Sequence, residues 1–406
     1  MPTDGNRPSS EVRSGLTIVA ALLAMVGPFS IDTYLPSFPD IEREFGVGRL
    51  LLSQSLGVYL VAFAASSLFW GALADRIGRR RVILAGLSIY ALASASCALS
   101  SSGSMFLLAR MAQGLSASGG FIGGRAMIRD AHDAVAAHRA MARVMLMFAL
   151  APAVAPVLGG WLHDYFGWRS VFVFLTLLGS SLILITVALD ETLSPAQRQS
   201  FRPLAVLRVY LATLRSREFL ALVFALGFGF GGLFLYIAGA PTVIYDFLGW
   251  GADDFGWQFI PMVTGMVLGA FVSGKLARFW PVRRTIQFGL GLMAAAVAMN
   301  LSGVASEMTN PVAIIGPVVL YTIGIAIVMP AISVLAIDCF PHNRGAATSM
   351  QGFVQMLINA AVASLLVPLL QVERSFFVSG QAALLLLAIL FWIRYRRSFP
   401  IMPKGA

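Results

Sequence analysis

Apolar runs of about twenty residues recur along the whole chain of 406 residues, with short polar segments between them. A helix of that length crosses the roughly 30 Å hydrocarbon core of a bilayer and pairs its own backbone polar groups there. The pattern therefore predicts an all-α membrane protein with twelve transmembrane helices. The predicted spans are residues 15–36, 51–74, 82–100, 104–126, 141–162, 168–189, 218–244, 255–277, 284–304, 311–337, 346–370 and 375–395.

The longest polar connection separates the first six spans from the last six. Its several arginines are typical of a cytoplasmic linker, with a short amphipathic helix along the membrane surface. The first apolar run lacks a small-residue cleavage site, so we interpret it as a retained span and not as a signal peptide. The predicted parts are a cytoplasmic tail at 1–14, a six-helix bundle at 15–189, the linker at 190–217, a second six-helix bundle at 218–395 and a cytoplasmic tail at 396–406.

Composition and charge placement agree with a membrane protein. The chain is 58% hydrophobic and 12% charged, whereas soluble domains carry about 25% charged residues. Lysine and arginine cluster in alternate connections, and because basic connections stay in the cytoplasm, both termini are predicted to lie there. The formal net charge of +10 therefore indicates topology and contact with lipid, and we expect no nucleic-acid partner.

The two halves of the chain contain a repeated segment. "GALADRIGRRRVILAG" at 71–86 and "GKLARFWPVRRTIQFG" at 274–289 each join the second and third span of their half, with two glycines and two adjacent arginines in register. Many secondary transporters are built from two such repeats, with a substrate site between them near the bilayer midplane. The repeat predicts two six-helix bundles around a central cavity.

Several motifs resemble those of one transporter family. "GALADRIGRRRV" is similar to the cytoplasmic signature loop of the major facilitator superfamily, "RMAQG" at 110–114 to its fourth-helix motif, and "APAVAPVLGGW" at 151–161 to its fifth-helix antiporter motif. "SIDTYLPSFPDI", "RD" at 129–130 and "FPHNRGAATS" at 340–349 resemble, within it, the bicyclomycin-resistance (Bcr/CflA-type) multidrug exporters. Ala155 before Pro156 departs from the Gly-Pro of the general antiporter motif, a change that this subfamily shares.

The resemblance implies the major facilitator fold and a multidrug efflux transporter of a bacterial inner membrane, which exports small drug-like compounds in exchange for protons. It implies no cofactor, because the proton gradient supplies the energy. The expected partners are a small-molecule substrate, protons and the lipid bilayer, and we expect a monomer. Two alternatives stay open: a proton-coupled uptake symporter, and an exporter of a single substrate such as a phenicol or a metabolite.

Enzyme and receptor classes are not expected. The sequence shows no Ser-His-Asp set, no phosphate loop, no metal cluster and no soluble sensor domain. Cys97 and Cys339 lie in apolar surroundings without a redox or metal pattern. The histidines are predicted at the surface, in cytoplasmic loops or near the outer end of the fifth span; they are His132, His138, His163 and His342.

The first repeated loop is predicted to act as a conformational latch. Gly71 would allow a close helix approach, Gly78 a tight turn, and Asp75 would face the positive end of the helix that begins around Gly345–Ala347. The arginines can pair with Asp130 at the foot of the fourth span. The predicted latch residues are Gly71, Asp75, Arg76, Gly78, Arg79, Arg80 and Asp130. Arginines that only set topology on a short turn are the alternative.

The fifth span is predicted to shape a gate near the outer face. Pro152 and Pro156 remove backbone donors and bend the helix, and Gly159 and Gly160 permit close packing against another helix. A purely structural kink is the alternative.

Two charged residues inside spans are the predicted proton-coupling pair. Asp32 is a carboxylate within the first span, and Arg110 is a permanent cation in the fourth; both must find a wet cavity or polar partners. A carboxyl balanced between burial and a nearby arginine can change protonation as a cavity opens to alternate sides. The alternatives are an Asp32 near the outer interface that caps a proline-rich turn, and an Arg110 that anchors backbone carbonyls.

The substrate cavity is expected to be apolar with few polar groups. Predicted lining residues are Tyr34, Gln54, Tyr59, Phe106, Gln113, Phe228 and Tyr236, with Phe224, Phe234, Tyr321 and Asn359 as further candidates. Each of these side chains can instead face lipid or a neighbouring helix. Asp338 is interpreted as an interfacial charge near Arg344.

Overall fold

The computed structural model describes residues 10–194, 196, 198 and 203–398. The predicted tails at 1–14 and 396–406 and the predicted linker lie partly outside the described residues. The chain divides into two compact units, Met1–Phe201 and Arg202–Ala406.

Seven helices make up the described part of the first unit. The first predicted span is a helix that ends at Asp32, a short turn with a 3-10 segment at Leu35–Ser37, and a second helix that continues to Phe45. Pro36 stands at the start of that 3-10 segment, where its missing N–H costs nothing. The helices are α1 Ser10–Asp32, α2 Phe38–Phe45, α3 Arg49–Ile77, α4 Arg79–Ala98, α5 Gly103–Ala131, α6 Ala134–Phe166 and α7 Arg169–Val187.

The second unit repeats this order after a linker helix. Two of its spans contain a π-helical turn that was not predicted, at Thr242–Phe247 and Val362–Leu366. The helices are α8 Pro203–Arg215, α9 Arg217–Ala238, α10 Phe255–Phe279, α11 Val282–Ala305, α12 Pro311–Asp338, α13 Arg344–Ala361, α14 Val367–Leu370 and α15 Arg374–Ser398.

The predicted fold class is confirmed. In the part of the chain that the structure describes, each predicted span corresponds to a long helix, and eleven helical segments are long and apolar enough to cross a membrane. The segment outside that set is α5, which carries Arg110, Arg125, Arg129 and Asp130 and many small residues. The polar residues of α5 are tolerated in a membrane helix because α5 packs along both α3 and α4, which shield much of it from lipid.

Glycines bring two helix pairs into backbone contact. A Cβ at Gly114 on α5 would overlap the backbone of Tyr59 on α3, and a Cβ at Gly159 on α6 would overlap the backbone of Thr33 after α1. The predicted close approach at Gly71 is wrong, because a Cβ there would meet only Ile122 at an ordinary 3.8 Å. The close packing of α3 therefore depends on Gly114 and not on Gly71.

Each unit contains equivalent internal contacts in addition to the repeated loop. The ring centroids of Tyr34 and Phe172 are 5.8 Å apart in the first unit, and those of Tyr236 and Phe377 are 5.1 Å apart in the second. Near these pairs, an arginine at the start of the last long helix of each unit donates to a carbonyl after the third long helix. Those contacts run from Arg169 to Ser100 and from Arg374 to Met308. The repeat seen in one loop thus extends to the packing of each unit.

Candidate functional site

Asp32 combines burial with an unsatisfied carboxyl. It is the last residue of α1, just past the middle of the apolar segment Gly15–Phe45, and its exposed fraction is 3%. Within the part of the chain that the structure describes, Asp32 forms no ion pair and its Oδ1 has no hydrogen-bond partner. The turn after α1 is stabilised by Thr33, whose Oγ1 donates to the carbonyl of Phe29 at 2.6 Å. Asp32 therefore ends a helix, as the capping alternative requires, but its carboxyl is buried and caps nothing.

Arg110 is held between two aromatic rings. Its guanidinium carbon lies 4.4 Å from the ring centroid of Tyr34 and 4.5 Å from that of Tyr59, and its exposed fraction is 0%. A desolvated cation over an aromatic face gains about 2 kcal/mol. One terminal nitrogen donates to Oε1 of Gln113, one turn along α5, while Nε and the other terminal nitrogen have no hydrogen-bond partner among the described residues. Aromatic faces and an amide thus stabilise this cation, and no carboxylate from residues 10–194, 196, 198 or 203–398 pairs with it.

The acid and the cation do not touch. Tyr59 of α3 lies within electrostatic range of both Asp32 and Arg110. The predicted effect of Arg110 on Asp32 is therefore indirect in this structure, and the coupling role of both residues stays a prediction.

Two hydroxyl groups of α4 bond to α1 and α5, and the sequence did not predict these contacts. The hydroxyl oxygens of Ser30 and Tyr90 are 2.7 Å apart, and Nε2 of Gln113 donates to Oγ of Ser94 at 2.8 Å. A serine or tyrosine on an apolar helix gives no sequence signal of a partner on another helix. Only the spacing of Tyr90 and Ser94, one turn apart, could have indicated a shared face.

Several predicted cavity residues are packed in an aromatic cluster. The ring of Phe106 contacts those of Tyr34, Phe45, Trp168 and Phe172, with centroid distances of 5.3–6.3 Å. The cluster gives Phe106 a packing role, because rings surround it. Tyr34 also pairs its hydroxyl with that of Ser55 at 3.1 Å, whereas Gln54 on α3 is only half-buried. Their place in a substrate cavity stays a prediction.

The second unit has a separate buried polar cluster. Nδ2 of Asn300 donates to the hydroxyl of Tyr236 and, at 3.2 Å, to Oε1 of Gln381, while Gln258 donates to the carbonyl of Tyr236 at 2.8 Å. The hydroxyl of Tyr321 donates to the carbonyl of Gly229 at 2.8 Å. Tyr236 is thus fixed by hydrogen bonds from two neighbouring helices, α10 and α11.

The other second-unit candidates pack within their own unit. Phe228 stacks on Phe224 and Phe391 at 5.9 and 5.7 Å. Phe234 and Asn359 are buried. The predicted charge pair between Asp338 and Arg344 is present at 3.3 Å, between two exposed side chains.

The predicted latch loop is an ordered ion-pair cluster. Arg79 Nε donates to Oδ2 of Asp130 at 2.8 Å, and a terminal nitrogen donates to Asp75 at 2.5 Å. Gly78 has φ +110°, a conformation that favours glycine. Arg76 is exposed. The docking of Asp75 on the helix around Gly345–Ala347, and the latch role of the loop, stay predictions.

Glu191 completes this cluster and was not predicted. Its two carboxylate oxygens accept from the backbone N–H groups of Arg79 and Arg80, at 2.9 and 3.2 Å. These are the first residues of α4, whose N–H groups have no partner inside the helix. In return Arg80 donates to the carbonyls of Thr186 and Val187 at the end of α7. The two helix ends therefore stabilise each other.

The antiporter-motif helix keeps both prolines inside α6, which runs without interruption from Ala134 to Phe166. Gly159 packs on the backbone of Thr33, directly after Asp32, and Gly160 is buried. His163, one turn further, has its Nε2 3.6 Å from an oxygen of Asp40. The motif thus positions the turn that carries the buried acid.

In the part of the chain that the structure describes, each of two similar units has six long helices, and the first unit buries an acid and an arginine among them. This arrangement defines a secondary transporter of the two-bundle type. The sequence model of the Major Facilitator Superfamily matches residues 20–364 and 241–403. The chain belongs to that superfamily, and it is a multi-pass membrane transporter.

Similar proteins cover most of the chain. It is 27% identical to a bicyclomycin resistance protein homolog of Haemophilus influenzae, over 86% of this chain and 87% of that protein. It is 24% identical to multidrug resistance protein D of Escherichia coli K12, over 93% and 95%. The crystal structure of a bacterial homolog of the human lysosomal transporter Spinster superposes with a TM-score of 0.74 at 15% identity, over 97% of this chain and 98% of that one. That last likeness supports the fold alone.

Proposed function

We propose that this transporter exports small drug-like compounds from the cytoplasm in exchange for protons, as a monomer in a bacterial inner membrane with both termini in the cytoplasm. The similarity to proteins named for bicyclomycin and multidrug resistance supports the drug-like substrate class. The alternation of basic connections supports the orientation.

The unpartnered, buried carboxyl of Asp32 carries the proposal of proton exchange. A charge buried without a partner is costly in a bilayer. A carboxyl in this position holds a proton while it is closed off and releases the proton when water reaches it. If substrate and proton compete for this region, inward proton flow drives substrate outward.

Arg110 and the α3–α4 loop have supporting roles in this scheme. A cation held between two rings keeps the interior polar without neutralising Asp32. The ion pairs of Arg79 with Asp75 and Asp130 hold the cytoplasmic ends of α3, α4 and α5 together. Breaking and remaking such pairs is how a bundle changes its docking during alternating access.

A single-substrate exporter remains the second candidate, and one comparison favours it. The chain is 27% identical to a chloramphenicol resistance protein of Pseudomonas aeruginosa, over 87% of this chain and 85% of that protein.

Everted membrane vesicles test the proposal. The vesicles are acidified inside by respiration, and a panel that includes bicyclomycin and chloramphenicol is added while the internal pH is followed. Several chemically different compounds should each collapse the gradient, and vesicles without the protein should show no response. A response to chloramphenicol alone would favour the second candidate. No response to any compound, or proton entry into whole cells accelerated by substrate added outside, would contradict export by antiport.

A further inference from the structure

Two buried hydroxyl groups of α4 bond to its neighbouring helices, that of Tyr90 to α1 and that of Ser94 to α5. Ser30, two residues before the buried acid, has its Oγ 2.7 Å from the hydroxyl of Tyr90. One turn further along α4, Oγ of Ser94 donates to the carbonyl of Tyr90 at 2.8 Å. The same Oγ accepts from Nε2 of Gln113 at 2.8 Å, which brings the connection to α5.

This connection fixes the direction in which Gln113 points. Because Ser94 donates its proton to a carbonyl, its oxygen is left to accept, and it accepts from the amide nitrogen of Gln113. The amide oxygen of Gln113 is then turned toward Arg110, whose guanidinium donates to it. With the amide reversed, its NH₂ group would face the guanidinium and both would be donors. The orientation of Arg110 therefore depends on a hydroxyl of α4.

Each link is closed to water. Ser30, Tyr90, Ser94 and Gln113 all have exposed fractions of 0%. A buried polar group that loses its only partner costs about 1–3 kcal/mol. The amide nitrogen of Gln113 depends on α4, because it donates to Ser94, whereas Ser30 also donates to the carbonyl of Val26 at 2.6 Å.

We propose that Ser94 is a positioning residue that holds Arg110, through Gln113, between its tyrosine rings and away from Asp32, and that Tyr90 joins the same helix to α1 beside that acid. Because Ser30 belongs to α1, a movement of the Asp32 turn must break the Ser30–Tyr90 contact or carry α4 with it. Tyr90 and Ser94 thereby link the position of the acid to the position of the cation. This inference rests on the proposed proton exchange at Asp32.

Few other ionisable groups surround this part of α1. Those on the packed helices are Tyr59 of α3, Tyr90 and Cys97 of α4, Arg110 of α5, His163 of α6 with its neighbour Asp40, and Arg169 of α7 with its neighbour Glu44. Arg110 is the permanent cation that is buried among them. Its release toward Asp32 would favour the carboxylate over the carboxylic acid.

The test compares Ser94→Ala and Tyr90→Phe with a matched control. Ser96→Ala removes the same group from the same helix, but Ser96 is only half-buried and its hydroxyl donates to the carbonyl of Leu92 within α4. Proton-driven transport into everted vesicles is measured over a pH series, together with substrate counterflow without a gradient. Ser94→Ala and Tyr90→Phe should each lower the maximal proton-driven rate by about tenfold, because each removes one of the buried bonds that α4 makes to the helices of the acid and the cation. The pH at half-maximal rate should fall, since the released guanidinium can approach Asp32, while Ser96→Ala should match the unmodified protein.

Three outcomes would be decisive against the inference or its basis. Variants that match Ser96→Ala in rate and pH profile would overturn the positioning role. Rates that fall only in proportion to the folded fraction of the protein, with an unchanged pH profile, would also overturn the positioning role. If Ser94→Ala does not fold, the same comparison is made with Tyr90→Phe, which removes a single hydroxyl. An unmodified protein without proton-linked transport would instead overturn the proposed function.

Discussion

At the scale of single residues, the first unit stabilises a buried cation and a buried acid by different means. Arg110 rests between the rings of Tyr34 and Tyr59 and bonds to Gln113. Among the described residues, Asp32 has no comparable stabilising contact, and its Oδ1 has no hydrogen-bond partner. The difference agrees with our proposal that Asp32 changes its charge during transport while Arg110 stays charged.

Arg110→Lys should slow transport although the charge is kept. A lysine ammonium is a compact, strongly hydrated charge and lacks the planar face that stacks between two rings. We expect proton-driven transport to fall by at least about tenfold, because a loss of about 1–2 kcal/mol of stacking is not recovered. Vesicle transport and a thermal unfolding scan in detergent measure both effects. Transport by Arg110→Lys at the unmodified rate would show that the stacked geometry is unimportant.

Gly159→Ala should destabilise the first unit. The new Cβ would overlap the carbonyl of Thr33, so α6 must move away from the turn after Asp32. Overpacking of this kind costs about 1–3 kcal/mol. The control is Gly274→Ala on α10, where a Cβ meets no atom within 4 Å and should be neutral or slightly stabilising. Equal unfolding temperatures for the two variants would contradict the predicted contact.

At the scale of elements, the start of α4 is where several helices are joined. Glu191 caps its first N–H groups, Arg80 reaches the end of α7, and Arg79 pairs with α3 and α5. A carboxylate at a helix N-terminus also interacts favourably with the helix dipole. The residues that follow α7 therefore belong to the ion-pair cluster of the predicted latch loop and do more than connect two helices.

Glu191→Ala should loosen the first turn of α4. Loss of an N-terminal cap costs about 1 kcal/mol, so the amides of residues 79–82 should exchange with deuterium about fivefold faster. The control is Asp190→Ala, which removes the neighbouring, exposed carboxylate. Equal protection of α4 in the two variants would contradict the capping role.

Sequence patterns predicted these elements better than the contacts between them. The apolar period placed the long helices, and the motif at 110–114 brought Arg110 and Gln113 together because they are one turn apart on one helix. Glu191, Tyr90 and Ser94 were missed, because their partners lie on other helices and a helical pattern carries no record of them. The π-helical turns were missed for a similar reason, since they change the backbone bonding without interrupting the apolar run.

At the scale of the whole molecule, the chain consists of two units with similar internal packing. The sequence repeat in the loops predicted this division. The Arg169 and Arg374 contacts and the paired Tyr34–Phe172 and Tyr236–Phe377 rings extend it, although no shared sequence motif marked them. The two units differ in the charge of their buried polar residues. The first buries an acid and an arginine, whereas the described core of the second has the neutral cluster around Asn300. This asymmetry supports our proposal that proton exchange takes place in the first unit.

The most direct test of the account is proton-linked transport by Asp32→Asn, a change that keeps the shape of the side chain and removes its exchangeable proton. Asp253→Asn, at an exposed carboxylate of the second unit, is the control. Asp32→Asn vesicles should lose the collapse of the acid gradient on addition of drug, while substrate counterflow without a gradient continues. Asp32→Asn vesicles that couple drug movement to protons as well as the Asp253→Asn control would contradict the central claim.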